Sequence, residues 1–348
     1  MTATLPTPRP IRVWNGVDRT TFLEQIQSLG EPAVLRGLAS QWPAVAAARR
    51  SYEAVLAYVG AFATDDPVEM IVGSPDIEGR FSYTDDLSAL NFTRGHAPVH
   101  SFFERLLRDR EESRPYAMAL QSALIPKTLP GFESANHTDL PPSPVPPRIW
   151  IGNALCVATH ADASENIAVN VAGRRRFTLF PPEAMSSLYI GPIEFTPAGP
   201  LTSLVHLTRP DLARFPRFAQ AMNVAQQAEL EPGDALYIPF HWWHHVQSLD
   251  AVNILVNYWW TTPPGHLSAN PLQVSLLAMS VMRELPADQR RTFAAMIRHY
   301  ALAEGGDAGA HIPPHARGVL ANQSRANAVN TSDCSQRSDS SLPSISRA

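Results

Sequence analysis

Gly233-Asp234-Ala235-Leu236-Tyr237-Ile238-Pro239, continued by Phe240-His241-Trp242-Trp243-His244-His245-Val246, is the stretch on which the fold turns. Its first half is a short apolar run closed by Gly-Asp in front and Pro behind, which reads as a brief strand between two turns. Outward from it, Ile149-Trp150-Ile151, Asn166 to Val171, Arg176 to Phe180 and Asn253 to Trp260 are further β-branched or aromatic runs bounded by Gly, Pro or Asp. Many short strands with turn signals predict a mainly β sandwich or barrel over 148–262. Residues 116–122 read as one more strand, which takes the barrel core back to about 116.

The flanks carry a different pattern. Residues 18–30 predict a short helix with Phe22, Ile26 and Leu29 on one stripe, and 51–60 and 98–108 predict two more. Pro32 to Gly37 reads as a strand ending in a turn. Residues 126–147 hold seven prolines and predict loop. Residues 273–284 and 287–302 predict two C-terminal helices, with Val274, Leu277 and Val281 on the first apolar face and Phe293, Met296, Ile297 and Tyr300 on the second. The expected organisation is a flexible start over 1–10, a single domain over 11–303, and a disordered tail over 304–348.

Composition narrows the class. The chain has 348 residues, 45% hydrophobic and 17% charged, enough to bury a sizeable core. A net charge of −4 with no basic stripe argues against nucleic acid and anionic membrane as partners. No stretch of about 18 apolar residues is present to span a bilayer. The opening ten residues lack the basic flank and apolar run of a secretory signal. Cys156 and Cys334 are far apart and form no disulfide framework. Together these features predict a cytoplasmic protein.

The chemistry begins at Thr159-His160-Ala161-Asp162. Side chains two apart in a strand share a face, so His160 and Asp162 can grip one metal ion from one strand. A histidine from 239–245, some 80 residues on, completes a two-His, one-carboxylate set that leaves metal positions open for substrate and oxygen. Spacing alone does not choose among His241, His244 and His245. A lone His-x-Asp also serves as a turn cap; order, separation and β context together favour the metal.

The residues now quoted, with Val256-Asn257-Tyr258-Trp259-Trp260, Asn166, and Gly173 to Pro182, resemble the JmjC/cupin-like (cupin-8 type) hydroxylases, those of the asparaginyl-hydroxylase kind in particular. The resemblance runs over roughly 30–262. It implies a double-stranded β-helix barrel of the cupin, jelly-roll or JmjC type, with flanking N-terminal α/β elements and two C-terminal helices. It implies Fe(II) held by His160, Asp162 and His244, with 2-oxoglutarate as co-substrate and O2 as oxidant. It also implies a homodimer through the C-terminal helices.

The co-substrate pocket departs from the family at three places. Where the family carries a lysine for the distal carboxylate of 2-oxoglutarate, this chain has Arg175, which can grip a carboxylate with two parallel hydrogen bonds. Ala119 stands where relatives use a tyrosine, leaving Tyr116 three residues early as the candidate, and Val157 replaces a threonine. Asn166, Asn257 and Trp259 match the family's pocket residues. Strand parity is consistent: from His160, the positions Asp162, Ser164, Asn166, Ala168 and Asn170 are small or polar, while Ile167, Val169 and Val171 are apolar.

The leading expectation is an Fe(II)- and 2-oxoglutarate-dependent hydroxylase of a protein side chain or small molecule. Two rivals are a cupin metalloenzyme without 2-oxoglutarate (dioxygenase, isomerase or lyase) and a non-catalytic cupin interaction protein. The loops at 84–97, 126–147 and 183–215 are expected to set the substrate, with Asp85, Asp86 and Arg94 read as facing water.

Overall fold

The structure is a computed structural model that describes residues 5–261 and 271–320. Seven strands come first: β1 (Arg9–Pro10), β2 (Arg12–Asn15), β3 (Ala33–Arg36), β4 (Val68–Gly73), β5 (Arg80–Phe81), β6 (Thr93–Ala97) and β7 (Ala117–Leu124). The barrel strands are β8 (Arg148–Gly152), β9 (Cys156–Ala161), β10 (Glu165–Ala172), β11 (Arg175–Phe180), β12 (Gln226–Leu230), β13 (Ala235–Ile238), β14 (Trp243–Ser248) and β15 (Asn253–Trp260). One sheet runs β1-β12-β11-β14-β9-β5, and the other β2-β3-β13-β10-β15-β8-β7-β4-β6. From β8 to β15 the chain passes from one sheet to the other at every step but β11 to β12, and this switching builds the barrel. The central order β12-β11-β14-β9 faces β13-β10-β15-β8, all antiparallel. This is the double-stranded β-helix, the jelly-roll solution to closing two antiparallel sheets on one core.

Strand parity fills the two sides differently. Ala168, Phe177, Leu179, Leu236, Ile238, Val246 and Leu255 form the cluster between the sheets. Ile167, Val169 and Val171 point the other way, into a larger core shared with Phe22, Trp42, Val55 and Phe102 from the N-terminal flank. Each β10 residue thus serves one layer only, as a two-residue period requires. Gly173 makes the β10–β11 turn at φ +72°, and a Cβ there would meet Asn253 Oδ1 at 2.3 Å and Val252 O at 2.6 Å. Only glycine fits both conditions.

Several expectations change. His160 to Asn170 is not one strand: β9 ends at Ala161 in one sheet and β10 begins at Glu165 in the other. Arg9–Pro10 is not loose but pairs parallel with Gln226–Gln227. The 18–30 helix changes pitch from α to π to 3-10, so Leu29 leaves the Phe22–Ile26 stripe and is exposed. The helices 51–60 and 98–108 appear as Tyr52–Gly60 and Val99–Asp109.

The C-terminal helices, Pro271–Glu284 and Ala287–Met296, belong to a second compact unit beginning at Thr262, apart from the first unit ending at Thr261. The tail expectation falls partly outside the described residues; within them, 3-10 turns form at Pro314–Ala316 and Gly318–Leu320. Among the described residues, no helix is long and apolar enough to cross a membrane.

Candidate metal centre and its cavity

The three expected ligands converge. One nitrogen from each of His160 and His244 and one Asp162 oxygen lie within 4.8 Å of one another. The β9–β14 register sets His244 opposite His160, with their rings 4.2 Å apart. Asp162, one residue past the end of β9, brings Oδ2 to 3.7 Å from His244 Nε2. A bulge follows immediately, between His244 and Val246, a common device beside functional sites.

Both imidazoles are oriented for coordination. His160 Nδ1 lies 2.9 Å from Ala158 O, and His244 Nδ1 lies 3.0 Å from Trp242 O. A carbonyl only accepts, so each Nδ1 carries the hydrogen and each Nε2 keeps a free lone pair. Burial, then the neighbouring His160, pushes the His244 imidazolium well below its ordinary range and leaves the ring neutral. Asp162 Oδ2 is buried and lacks a hydrogen-bond partner among the described residues. A buried carboxylate oxygen with nothing to accept from, beside two free imidazole nitrogens, matches the donor set of a divalent first-row metal.

Histidine choice follows from strand parity. His245 turns to the other face, with Nε2 2.9 Å from Cys156 Sγ, and burial pushes it down to about 3. His241 sits in the turn before β14 at φ +63° and donates its backbone N–H to Asp162 O at 3.2 Å. Neither joins the ligand cluster among the described residues.

A cavity of about 400 Å³ opens from these ligands between the two sheets. Arg175, Asn166, Asn257 and Trp259 line it, as do Ala119 and Val157. Asn257 donates Nδ2–H to Asn166 Oδ1 at 2.7 Å across the β10–β15 seam. Arg175 is 5% exposed, and its guanidinium has no ion pair or hydrogen bond among the described residues. Burial alone pushes it down to about 9. A cation held this way, cationic at neutral pH and open to the cavity, is set to receive an anion.

Tyr116 is not brought to the cavity. Its side chain is 47% exposed, with the Arg105 guanidinium 5.4 Å from its ring centre. Strand parity explains this: the strand containing Ala119 presents that residue inward, and Tyr116, an odd number of residues away and before the strand starts, falls outside. Of the aromatic set Trp242, Trp243, Tyr258, Trp259 and Trp260, Trp259 reaches the cavity and the other four pack in core clusters.

The cavity is also lined by residues that no motif announced: Glu69 from β4, Phe92, Arg94 from β6, Gln121 and Ser122 from β7, and Pro197, Ala198, Pro200 and Thr202. Arg94 does not simply face water. It pairs with Glu69 at 2.6 Å and donates to Pro197 O at 2.5 Å. These residues come from distant segments with no shared pattern, so only the three-dimensional arrangement reveals them.

A metal-binding jelly-roll barrel defines the class, and comparison with known proteins agrees. The chain matches the cupin-like domain over residues 19–266 and belongs to that family. It is 37% identical over 122 residues to HSPB1-associated protein 1 of Rattus norvegicus, covering 34% of this chain and 25% of that protein. It is 26% identical over 239 residues to lysine-specific demethylase 8 of Danio rerio, covering 66% of this chain and 53% of that one. It is 28% identical over 156 residues to tRNA wybutosine-synthesizing protein 5 of Homo sapiens, covering 40% and 46%. The chain therefore spans about a quarter to a half of the length of these curated relatives.

Proposed function

We propose that this protein is an Fe(II)- and 2-oxoglutarate-dependent oxygenase that hydroxylates a C–H bond of a protein side chain or a small molecule. The observation that carries the reading is Arg175: a buried guanidinium without a partner, lining the same cavity as a two-His, one-carboxylate cluster. An uncompensated buried cation facing the ligand cluster calls for an anion in the cavity, and the distal carboxylate of 2-oxoglutarate meets that need. The relatives named for lysine demethylation and for wybutosine synthesis in tRNA differ in what they act on. They support a common reaction centre and leave the substrate open.

His160, Asp162 and His244 would hold the iron through Nε2, a carboxylate oxygen and Nε2. The bound iron and 2-oxoglutarate would supply the oxidising chemistry. The chain's own part is positioning. The carbonyls of Ala158 and Trp242 fix the imidazole planes. Arg175 would receive the distal carboxylate in a two-pronged contact. Asn166 and Asn257, locked to each other, leave their remaining amide groups for a polar ligand. Phe177, Val246 and Leu255 keep the inner wall apolar and exclude water from the reacting atoms.

The test is the visible spectrum of the anaerobic protein with Fe(II) and 2-oxoglutarate. A weak charge-transfer band that is absent from His244→Ala and needs far more 2-oxoglutarate in Arg175→Met supports the proposal. Bound iron without a band sinks it and moves the metalloenzyme without 2-oxoglutarate to first place.

We further propose self-association through the C-terminal unit. Val274, Leu277, Val281, Phe293, Met296 and Tyr300 on its helices are all exposed, an apolar surface that a second copy would cover.

A further inference from the structure

We propose that the free edge of β6, Thr93–Ala97, is a docking edge for the substrate, and that the substrate is an extended polypeptide segment added there as an extra strand. The proposal rests on the oxygenase reading and adds the substrate class and the surface that receives it.

β6 ends the nine-stranded sheet and pairs only with β4 among the described residues. Thr93, Arg94, Gly95 and His96 are exposed. One row of backbone N–H and C=O groups along β6 therefore has no partner in a sheet. Such an edge accepts an extended peptide through main-chain hydrogen bonds, and specificity comes from pockets for alternate side chains.

Gly95, in the middle of this strand, is the informative residue. Glycine weakens a strand interior, because it gains no packing and loses more freedom than any other residue. Nothing within the chain requires it: φ is not left-handed, and a Cβ at Gly95 would meet nothing within 4 Å. The β4–β6 register is unbroken, so no bulge accounts for Gly95, and an open, side-chain-free position on a free edge leaves room for the close approach of another backbone.

The edge also lies where a substrate is needed. Arg94 of β6 and Ala119 of β7 both stand opposite Ile71 of β4, so the two share a sheet face. Both line the cavity that holds the ligand cluster and Arg175. A strand laid on β6 runs along the rim of that cavity and turns every second side chain to the cavity face. The rim is braced. Glu69 and Pro197 O hold the Arg94 guanidinium, which also sits 5.6 Å from the centre of the Phe92 ring.

A second copy is the poorer occupant. Edge-to-edge pairing of two β6 strands would crowd two braced Arg94–Glu69 pairs and their Pro197 contacts into one five-residue interface. A peptide meets no such penalty.

The test uses the full chain loaded with Mn(II) in place of iron, together with 2-oxoglutarate. Displayed random peptides about 12 residues long, twice a typical strand, are selected for binding. An enriched peptide is then made in two forms, N-methylated on alternate residues in opposite phase. The expected result has two parts. Amide exchange slows at residues 93–97, and one methylated form loses about tenfold or more in affinity while the other keeps it, because only one phase blocks hydrogen bonds to the sheet. The proposal is overturned if tight peptides leave 93–97 unprotected, if both forms bind alike, or if no peptide is enriched. Protection that appears without peptide and grows with protein concentration also overturns it, in favour of a second copy. The Fe(II)–oxoglutarate band, recorded on a portion of the same purified chain loaded anaerobically with Fe(II) instead of Mn(II), separates failure of this proposal from failure of the oxygenase reading.

Discussion

His160 and His244 form a cross-strand pair in which each ring is pinned by the same local device: Nδ1–H donated to the carbonyl two residues earlier in the chain, Ala158 O in one case and Trp242 O in the other. The pair is thus oriented before any metal arrives. Next to it, His245 is buried on the opposite face against Cys156.

The first prediction separates these neighbours. His244→Ala should weaken divalent-metal binding by more than about 100-fold, since even the loss of an outer-shell partner costs 10- to 100-fold. His245→Ala should leave metal affinity within about tenfold and act on stability instead. Calorimetric titration with Mn(II), paired with thermal unfolding, reads both.

Arg175→Met should cost about 10- to 100-fold in 2-oxoglutarate affinity, the worth of a charge-assisted two-pronged contact. The same substitution should raise the melting temperature of the ligand-free protein, because it removes an uncompensated buried cation. Burial has pushed the Arg175 guanidinium down to about 9. A lowered value in the fold means the protonated form is penalised. The penalty is full below that pH and fades as pH rises through it. Affinity for 2-oxoglutarate should therefore be flat between about pH 7 and 8 and fall above about 9. Affinity that is the same in Arg175→Met as in the unaltered protein would remove Arg175 from the role.

Tyr116→Phe and Tyr116→Ala should leave 2-oxoglutarate affinity unchanged within about twofold, as expected for an exposed side chain outside the cavity. Ala119→Tyr, which puts a ring into the cavity wall, should change it.

Asp234 belongs to the Gly-Asp pair that opens the diagnostic stretch, yet it touches no ligand. It is 4% exposed, accepts from Gly37 N and Glu231 N at 2.9 Å each, and pairs with Arg36. It ties the turn before β13 to the end of β3. Asp234→Ala leaves two N–H groups without an acceptor and should destabilise by about 2–4 kcal/mol in denaturant titration, with the oxoglutarate band of the folded fraction unchanged.

A chain ending at Thr261 should sediment as a monomer where the full chain sediments as a dimer. A dimer that survives this deletion, with the barrel folded, rejects the C-terminal helices as the self-association surface.

The His160–Asp162 half of the ligand set was legible because it is local and chemically narrow, whereas the choice of His244 rested on the family resemblance. His160-Ala161-Asp162 is a three-residue span whose first and third side chains share a face, and β13 announces itself by its turns. Arg175 was legible only through the family resemblance, which singles out the second residue after Gly173 from the run Arg174-Arg175-Arg176. The rest of the cavity lining was not, because Glu69, Arg94 and Pro197 meet through sheet order and loop path rather than through spacing. Tyr116 failed for a related reason: proximity in sequence to Ala119 said nothing of the face it would occupy. The parity argument worked within β10 and overreached across 162–164, where the chain changes sheets. A period of two describes a strand and does not survive a corner.

The β9–β14 pairing also sets the order of events during synthesis. His160 on β9 and Asp162 just past its end come early in the chain, but the third ligand lies on β14, which pairs with both β9 and β11. A nascent chain that has emerged only as far as Asp162 holds two donors and no enclosed site. On the proposed reading, a metal ion would meet its full ligand set only once β14 lies beside β9, so metal binding would be coupled to closure of the barrel.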